Sequence, residues 1–98
     1  MKQSETNRKR NGHKAHSIRI EFTHPTASVV AIAGSFNDWR ADATQMVRVA
    51  NNRWVKELVL APGRYEYRLV VDGAWMSDPR ADEAAPNPFG DLNSVLTV

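Results

Sequence analysis

"RYEYRLVVDGAWM", residues 64–76, decides the fold. Tyr65, Tyr67, Leu69 and Val71 recur at every second position, the period of a strand with one buried face. Arg68 alternates with Leu69 and so points away from that face. Asp72-Gly73 is the dipeptide best suited to a two-residue hairpin turn, because both positions tolerate positive φ. "AWM" then begins a return strand.

Working outward, the same grammar repeats. "SIRIEF" places Ile18, Ile20 and Phe22 on one face, and His24-Pro25-Thr26 breaks the run. "SVVAIAG" reads as a strand with Val30 and Ile32 inward. "FNDWRADATQ" is polar and loop-like. "MVRVA" is a short strand in which Met46 alternates against Val47 and Val49. Asn51-Asn52 suits a tight turn into the return strand "RWVKELVL". Ala61-Pro62-Gly63 suits another turn. "SDPRADEAAPNPFGDL" holds three prolines and no period, so it reads as a long loop, and "NSVLTV" closes the chain as a final strand. No stretch has a helical period of useful length and there are no internal repeats. The fold expected is all-β: an immunoglobulin-like sandwich of about seven antiparallel strands. The Cys…Trp…Cys signature of true immunoglobulin domains is absent.

The 98 residues make one small domain without cysteine, so neither a disulfide nor thiol chemistry is available. No apolar run approaches the ~18 residues of a membrane span, and no apolar segment of signal-peptide type occurs near Met1. A cytoplasmic protein is the default expectation, and the leader with its Met1 suggests a whole small protein. The net charge of +2 is uneven: residues 1–15 hold five basic residues against one acidic, leaving eight basic against ten acidic in residues 16–98. Residues 1–15 are expected to be a disordered basic tail and residues 16–98 the folded domain. A basic tail can bind nucleic acid or acidic surfaces, but it is more simply a solvated leader.

Enzymatic readings find little support. Asp72, Asp78, Asp82 and Glu83 lie close in sequence, and glycosidic cleavage needs two carboxyls across a bond. Asp72, however, has a turn to make, and Asp78 precedes a proline in a loop. His13, His16 and His24 bring no third ligand at metal-like spacing. No Gly-rich phosphate loop or nucleophile elbow occurs. Neither catalytic residue, metal nor cofactor is expected.

The three tryptophans carry the informative signal. Trp54 opens a strand and alternates with Lys56, Leu58 and Leu60, so it reads mostly as core. Trp39 and Trp75 each follow a turn, after Asn-Asp and after Asp-Gly-Ala. Spacing alone leaves them open between packing under their own loops and facing outward. The outward reading has a definite chemistry: the C–H face of a pyranose ring is slightly positive and the indole face negative and flat, so the two stack. Sugar hydroxyls then need fixed donors and acceptors, which Asn37, Asp38, Arg40, Arg68 and Asn93 offer nearby.

"GSFNDW", "GRYEYRLVVDGAWMSDP" and the terminal "NSVLTV", in that order, resemble the family-48 carbohydrate-binding modules. These include the glycogen-binding domain of the AMP-activated kinase β subunit and the modules that precede the catalytic domains of branching enzymes and isoamylases. The resemblance covers about residues 16–98 and implies an early-set immunoglobulin-like sandwich. It implies non-catalytic binding of α-1,4-glucans such as glycogen, starch or maltooligosaccharides. The family's stacking tryptophans fall on Trp39 and Trp75, its basic strand residue on Arg68, and its large apolar residue near the C-terminus on Phe89. Asp91 stands where a Thr is common, and the hydroxyl-bonding Asn matches Asn93. Outward is then the expectation for Trp39 and Trp75, on one face with their indole planes exposed. Phe36 should pack inward, with Gly34 and Asn37 shaping the turn. The competing reading is a protein-interaction or regulatory adaptor of the same fold that uses a strand edge or the tail. Nucleic-acid binding, with the tryptophans as stacking platforms, is disfavoured because the folded part carries more acidic than basic residues. The glucan and the oligomeric state are left open.

Overall fold

The computed structural model describes residues 14–98. The disordered basic tail expected at residues 1–15 lies, but for its last two residues, outside them. Eight strands occur among the described residues: β1 (His16–Thr23), β2 (Val30–Gly34), β3 (Val47–Val49), β4 (Arg53–Leu60), β5 (Arg64–Val71), β6 (Ala74–Met76), β7 (Glu83–Pro86) and β8 (Leu92–Thr97). No described helix is long and apolar enough to cross a membrane.

The strands form two antiparallel sheets, one ordered β1-β4-β3 and the other β2-β5-β8-β7, with β6 also paired to β5. The core lies between them because alternation puts one apolar face of each strand inward. Ile20 and Phe22 from β1 and Trp54 and Leu58 from β4 meet Val30 and Ile32 from β2 and Tyr67, Leu69 and Val71 from β5. Trp54 is therefore core, as its alternation indicates.

Two joints shape the outer face of the larger sheet. Residues 44–46 first follow β2, with Thr44 O accepting from Ile32 N at 2.8 Å and Met46 N donating to Val30 O at 2.8 Å. The chain then crosses sheets, and Val47–Val49 pairs with β4 as β3. On the other edge of β5, β8 pairs along Arg64–Tyr67 and β6 along Leu69–Val71, so the two share one edge in succession.

The turns obey their local chemistry. Asn51 and Asn52 have φ of 63° and 59°, and Asp72 and Gly73 have 49° and 87°, the left-handed region that these tight hairpin turns require. Asp72 also accepts at one carboxylate oxygen from Ser28 N at 2.9 Å and Val29 N at 2.8 Å, which ties the hairpin to the start of β2. Gly63 exchanges two backbone hydrogen bonds with Val98.

The segment read as one long loop holds β7, which pairs with β8 from Glu83↔Val95 to Pro86↔Leu92. Its sequence, Glu-Ala-Ala-Pro, has no apolar alternation to announce a strand. The pairing is imposed by β8, and Pro86, which cannot donate, is tolerated because β7 is an edge.

Candidate functional site

The outer face of the five-stranded sheet carries the site. Beside Arg68 and Val70 on β5, the outward positions of β2 are only alanines, Ala31 and Ala33. Their small side chains let the segment after β2 fold back over the sheet, where Ala41 packs on Ala31, Ala33 and Val70.

That segment is built by Gly34 and Asn37. A Cβ on Gly34 would stand 2.6 Å from the Phe36 ring and 2.8 Å from Glu66 O, so only glycine fits. Phe36 turns inward onto the core. The Asn37 side chain makes four hydrogen bonds: it accepts from Gly34 N and Arg40 N and donates to Ile32 O and Thr44 Oγ1. The two residues after it, Asp38 and Trp39, both have φ of 58°. A bulky residue in the left-handed region costs about 1–2 kcal/mol and persists only where its surroundings over-determine it. Here Trp39 N donates to Gly34 O at 2.9 Å. The strained backbone points the indole over the sheet rather than into it.

Trp39, Arg68, Trp75, Asn87, Pro88, Phe89 and Asn93 line one open cleft of about 570 Å³, within the size range of small-ligand sites. Trp75 reaches it from β6, opposite Val70. Trp39 is 37% exposed, Trp75 44% and Phe89 91%. The cleft thus has three aromatic walls that water still reaches.

Its polar groups are held from behind. The Arg68 side chain is only 12% exposed; its Nη1 lies 3.4 Å from Asp91 Oδ2 at the rim, and its Nε is buried without a partner. Asp91 does not line the cleft; it acts on Arg68. Asn93 is 8% exposed. Its Nδ2 donates to Glu66 Oε1 at 3.0 Å and its Oδ1 accepts from Asn87 Nδ2 at 3.1 Å. Glu66 accepts from Arg64 Nη1 as well, at 2.7 Å. The hydrogen bond from Asn93, then that from Arg64, holds the Glu66 carboxyl below its ordinary range. The cleft carries one cation, countered by one carboxylate, between apolar walls.

Of the six residues singled out in the sequence, five line this cleft and Asp91 stands at its rim. Asn37 braces the loop instead of facing the cleft. Sequence reasoning missed Asn87, Pro88 and Glu66. An Asn-Pro dipeptide is a turn signal, but nothing local shows that the Asn87 side chain would reach Asn93.

Two of the four carboxylates weighed for catalysis, Asp72 and Asp78, have structural partners. Asp78 is buried, accepts at Oδ2 from Tyr67 OH at 2.6 Å, and donates from its backbone N to Ser94 Oγ at 2.9 Å. Burial, with Asp78 beside it, pushes the Tyr67 phenol up and keeps it a donor. No group of three or more metal-ligating side chains occurs among the described residues.

Residues 16–98 match the family model described as the glycogen recognition site of AMP-activated protein kinase. The chain is 37% identical over 82 residues to the chloroplastic protein FLOURY ENDOSPERM 6 of Oryza sativa, covering 84% of this chain and 15% of that protein. It is 33% identical over 69 residues to the 5'-AMP-activated protein kinase subunit beta-1 of Sus scrofa, covering 70% of this chain and 53% of that sequence. Among solved structures, the maltogenic amylase from S. marinus superposes with a TM-score of 0.72 at 15% identity, covering 89% of this chain and 14% of that chain. The last likeness shows the shared fold.

Proposed function

The chain belongs to the carbohydrate-binding family that carries the glycogen recognition site of AMP-activated protein kinase, and from that premise we propose that it binds α-1,4-glucans without acting on them. Trp39 and Trp75 stack on neighbouring glucose rings, Phe89 supplies a third apolar surface, and Arg68 and Asn93 bond hydroxyls. The observation that carries this reading is that two half-exposed tryptophans and a nearly bare phenylalanine share one cleft with two largely buried polar side chains, Arg68 and Asn93.

The charge balance supports a neutral ligand. One guanidinium, shared with Asp91, does not make the basic stripe that a phosphate backbone needs. Hydroxyl-rich rings that offer apolar faces fit the walls and the few polar groups together. Affinity is expected at ~10 μM to 1 mM, because a glucan gives up well-solvated hydroxyls and buries few atoms.

Maltoheptaose titration followed by calorimetry tests the reading. Trp39→Ala and Trp75→Ala should each weaken binding about 5- to 30-fold, since a lost stacking surface is worth ~1–2 kcal/mol. If β-cyclodextrin moves neither the Trp39 nor the Trp75 indole N–H resonance, the reading is wrong.

A further inference from the structure

We propose that Asn87 is the positioning residue of the site: its one amide fixes both the loop that presents Phe89 and the orientation of the Asn93 amide. This inference rests on the glucan-binding reading and adds a residue and a division of labour to it.

The hydrogen bonds leave little freedom. Asn87 Oδ1 accepts from two backbone N–H groups, Phe89 N at 2.9 Å and Asp91 N at 3.1 Å. Only an oxygen can accept from both, so Nδ2 is the atom that faces Asn93. Nδ2 donates to Asn93 Oδ1 at 3.1 Å, so Asn93 in turn must direct its Nδ2 at Glu66. The Glu66 carboxylate, which can only accept, agrees with that direction. One chain of bonds thus runs from the Phe89 loop through Asn87 and Asn93 to Glu66 and Arg64. The backbone of Asn87 closes the same loop: its N donates to Asp91 O at 2.9 Å and its O accepts from Gly90 N at 3.3 Å.

The consequence lies in what these bonds hold in place. Phe89 is 91% exposed, so almost no side-chain packing orients it. Its direction comes from the loop backbone, and the loop backbone is held by Asn87. Asn93 keeps one Oδ1 lone pair and one Nδ2 hydrogen for a ligand, and Asn87 decides which of them faces which way. One aromatic wall, Phe89, and one polar group of the floor, Asn93, are therefore set by one side chain.

Two substitutions separate the arms. Asn87→Asp keeps an oxygen for the two loop N–H groups but offers no proton to Asn93. Asn87→Ala removes both functions. Maltoheptaose should bind Asn87→Asp about 3- to 10-fold more weakly, the loss of roughly one hydrogen bond's orientation. That loss should vanish in an Asn93→Ala background. Asn87→Ala should weaken binding ~10-fold or more, and adding Phe89→Ala to it should cost much less than Phe89→Ala costs in the unsubstituted chain. In the ligand-free protein, the Phe89 and Asp91 amides should exchange faster in Asn87→Ala but not in Asn87→Asp. Additive losses in both cycles, or Asn87 variants that bind like the unsubstituted chain, would overturn the assignment while leaving the glucan reading intact. Failure of the unsubstituted chain to bind maltoheptaose would remove both.

Discussion

Trp39 owes its place to Asn37 more than to itself. A tryptophan at φ 58° is held there by the bonds that Asn37 makes to both sides of its loop, to Ile32 and Gly34 before it and to Arg40 and Thr44 after it. Asn37→Ala leaves the N–H of Gly34 and the carbonyl of Ile32 without their side-chain partners in a half-buried site. It should cost ~2–4 kcal/mol in urea unfolding, at about 1–2 kcal/mol per orphaned group. Asn37→Asp should cost less, because both accepting bonds survive. At this scale the sequence was informative where chemistry is local. Gly34, Phe36 and Asn37 have the roles that their order implies, whereas the left-handed pair Asp38-Trp39 is imposed by closure of the loop and no propensity announces it. Asn87 escaped for the same reason, since its partner Asn93 is met only after the chain turns at Gly90.

The strand elements were legible wherever alternation or a turn dipeptide marked them. β5 and its hairpin to β6 are written directly in "RYEYRLVVDGAWM". β7 was not legible, because an edge strand of Glu-Ala-Ala-Pro takes its conformation from β8. The least visible feature is the seam where β5 passes its edge from β8 to β6. Tyr67, Asp78 and Ser94 close it with a buried chain of hydrogen bonds between three segments. Tyr67→Phe removes the shortest of them and leaves one oxygen of a buried carboxylate without its donor. It should destabilise the domain by ~1–3 kcal/mol. Binding of maltoheptaose should be unaffected at temperatures where the domain stays folded, because Tyr67 faces the core and the cleft is on the other side.

For the molecule as a whole, charge and acid response give the remaining tests. Residues 16–98 hold eight basic against ten acidic groups, and Arg68 is the one cation among the residues that line the cleft. Glucan affinity should therefore hardly change between about 50 mM and 500 mM salt, whereas a nucleic-acid ligand would show a steep fall. Asp72 is held below the ordinary carboxylate range by the N–H groups of Val29 and then Ser28. A carboxylate depressed in the folded state stabilises fully above its unfolded value near about 4, and that contribution is lost as the pH falls through the lower folded value. Thermal midpoints should be flat with respect to this group above about pH 5 and should fall below about pH 4, with a shallower fall in Asp72→Asn. Glu66 shifts in the same direction, through Asn93 first and then Arg64, so glucan affinity should hold down to the ordinary glutamate value of about 4.3 and weaken only at lower pH, as the proton that Glu66 gains disturbs Asn93.

The alanine face of β2 has a consequence beyond the ligand. Because Ala31 and Ala33 are the only side chains that β2 turns outward, the loop that carries Trp39 is laid onto a finished sheet, while Arg68, Trp75 and Asn93 rise from its strands. Phe89, Trp75 and Asp91 can change while Ile32, Leu69 and Val71 stay as they are. The exposed residues of the cleft can then be exchanged without opening a cavity in the core between the sheets. Between the core and the loop that presents Trp39 there is only a pair of outward methyl groups, and they leave that loop free to differ in sequence while the sheet beneath it stays the same.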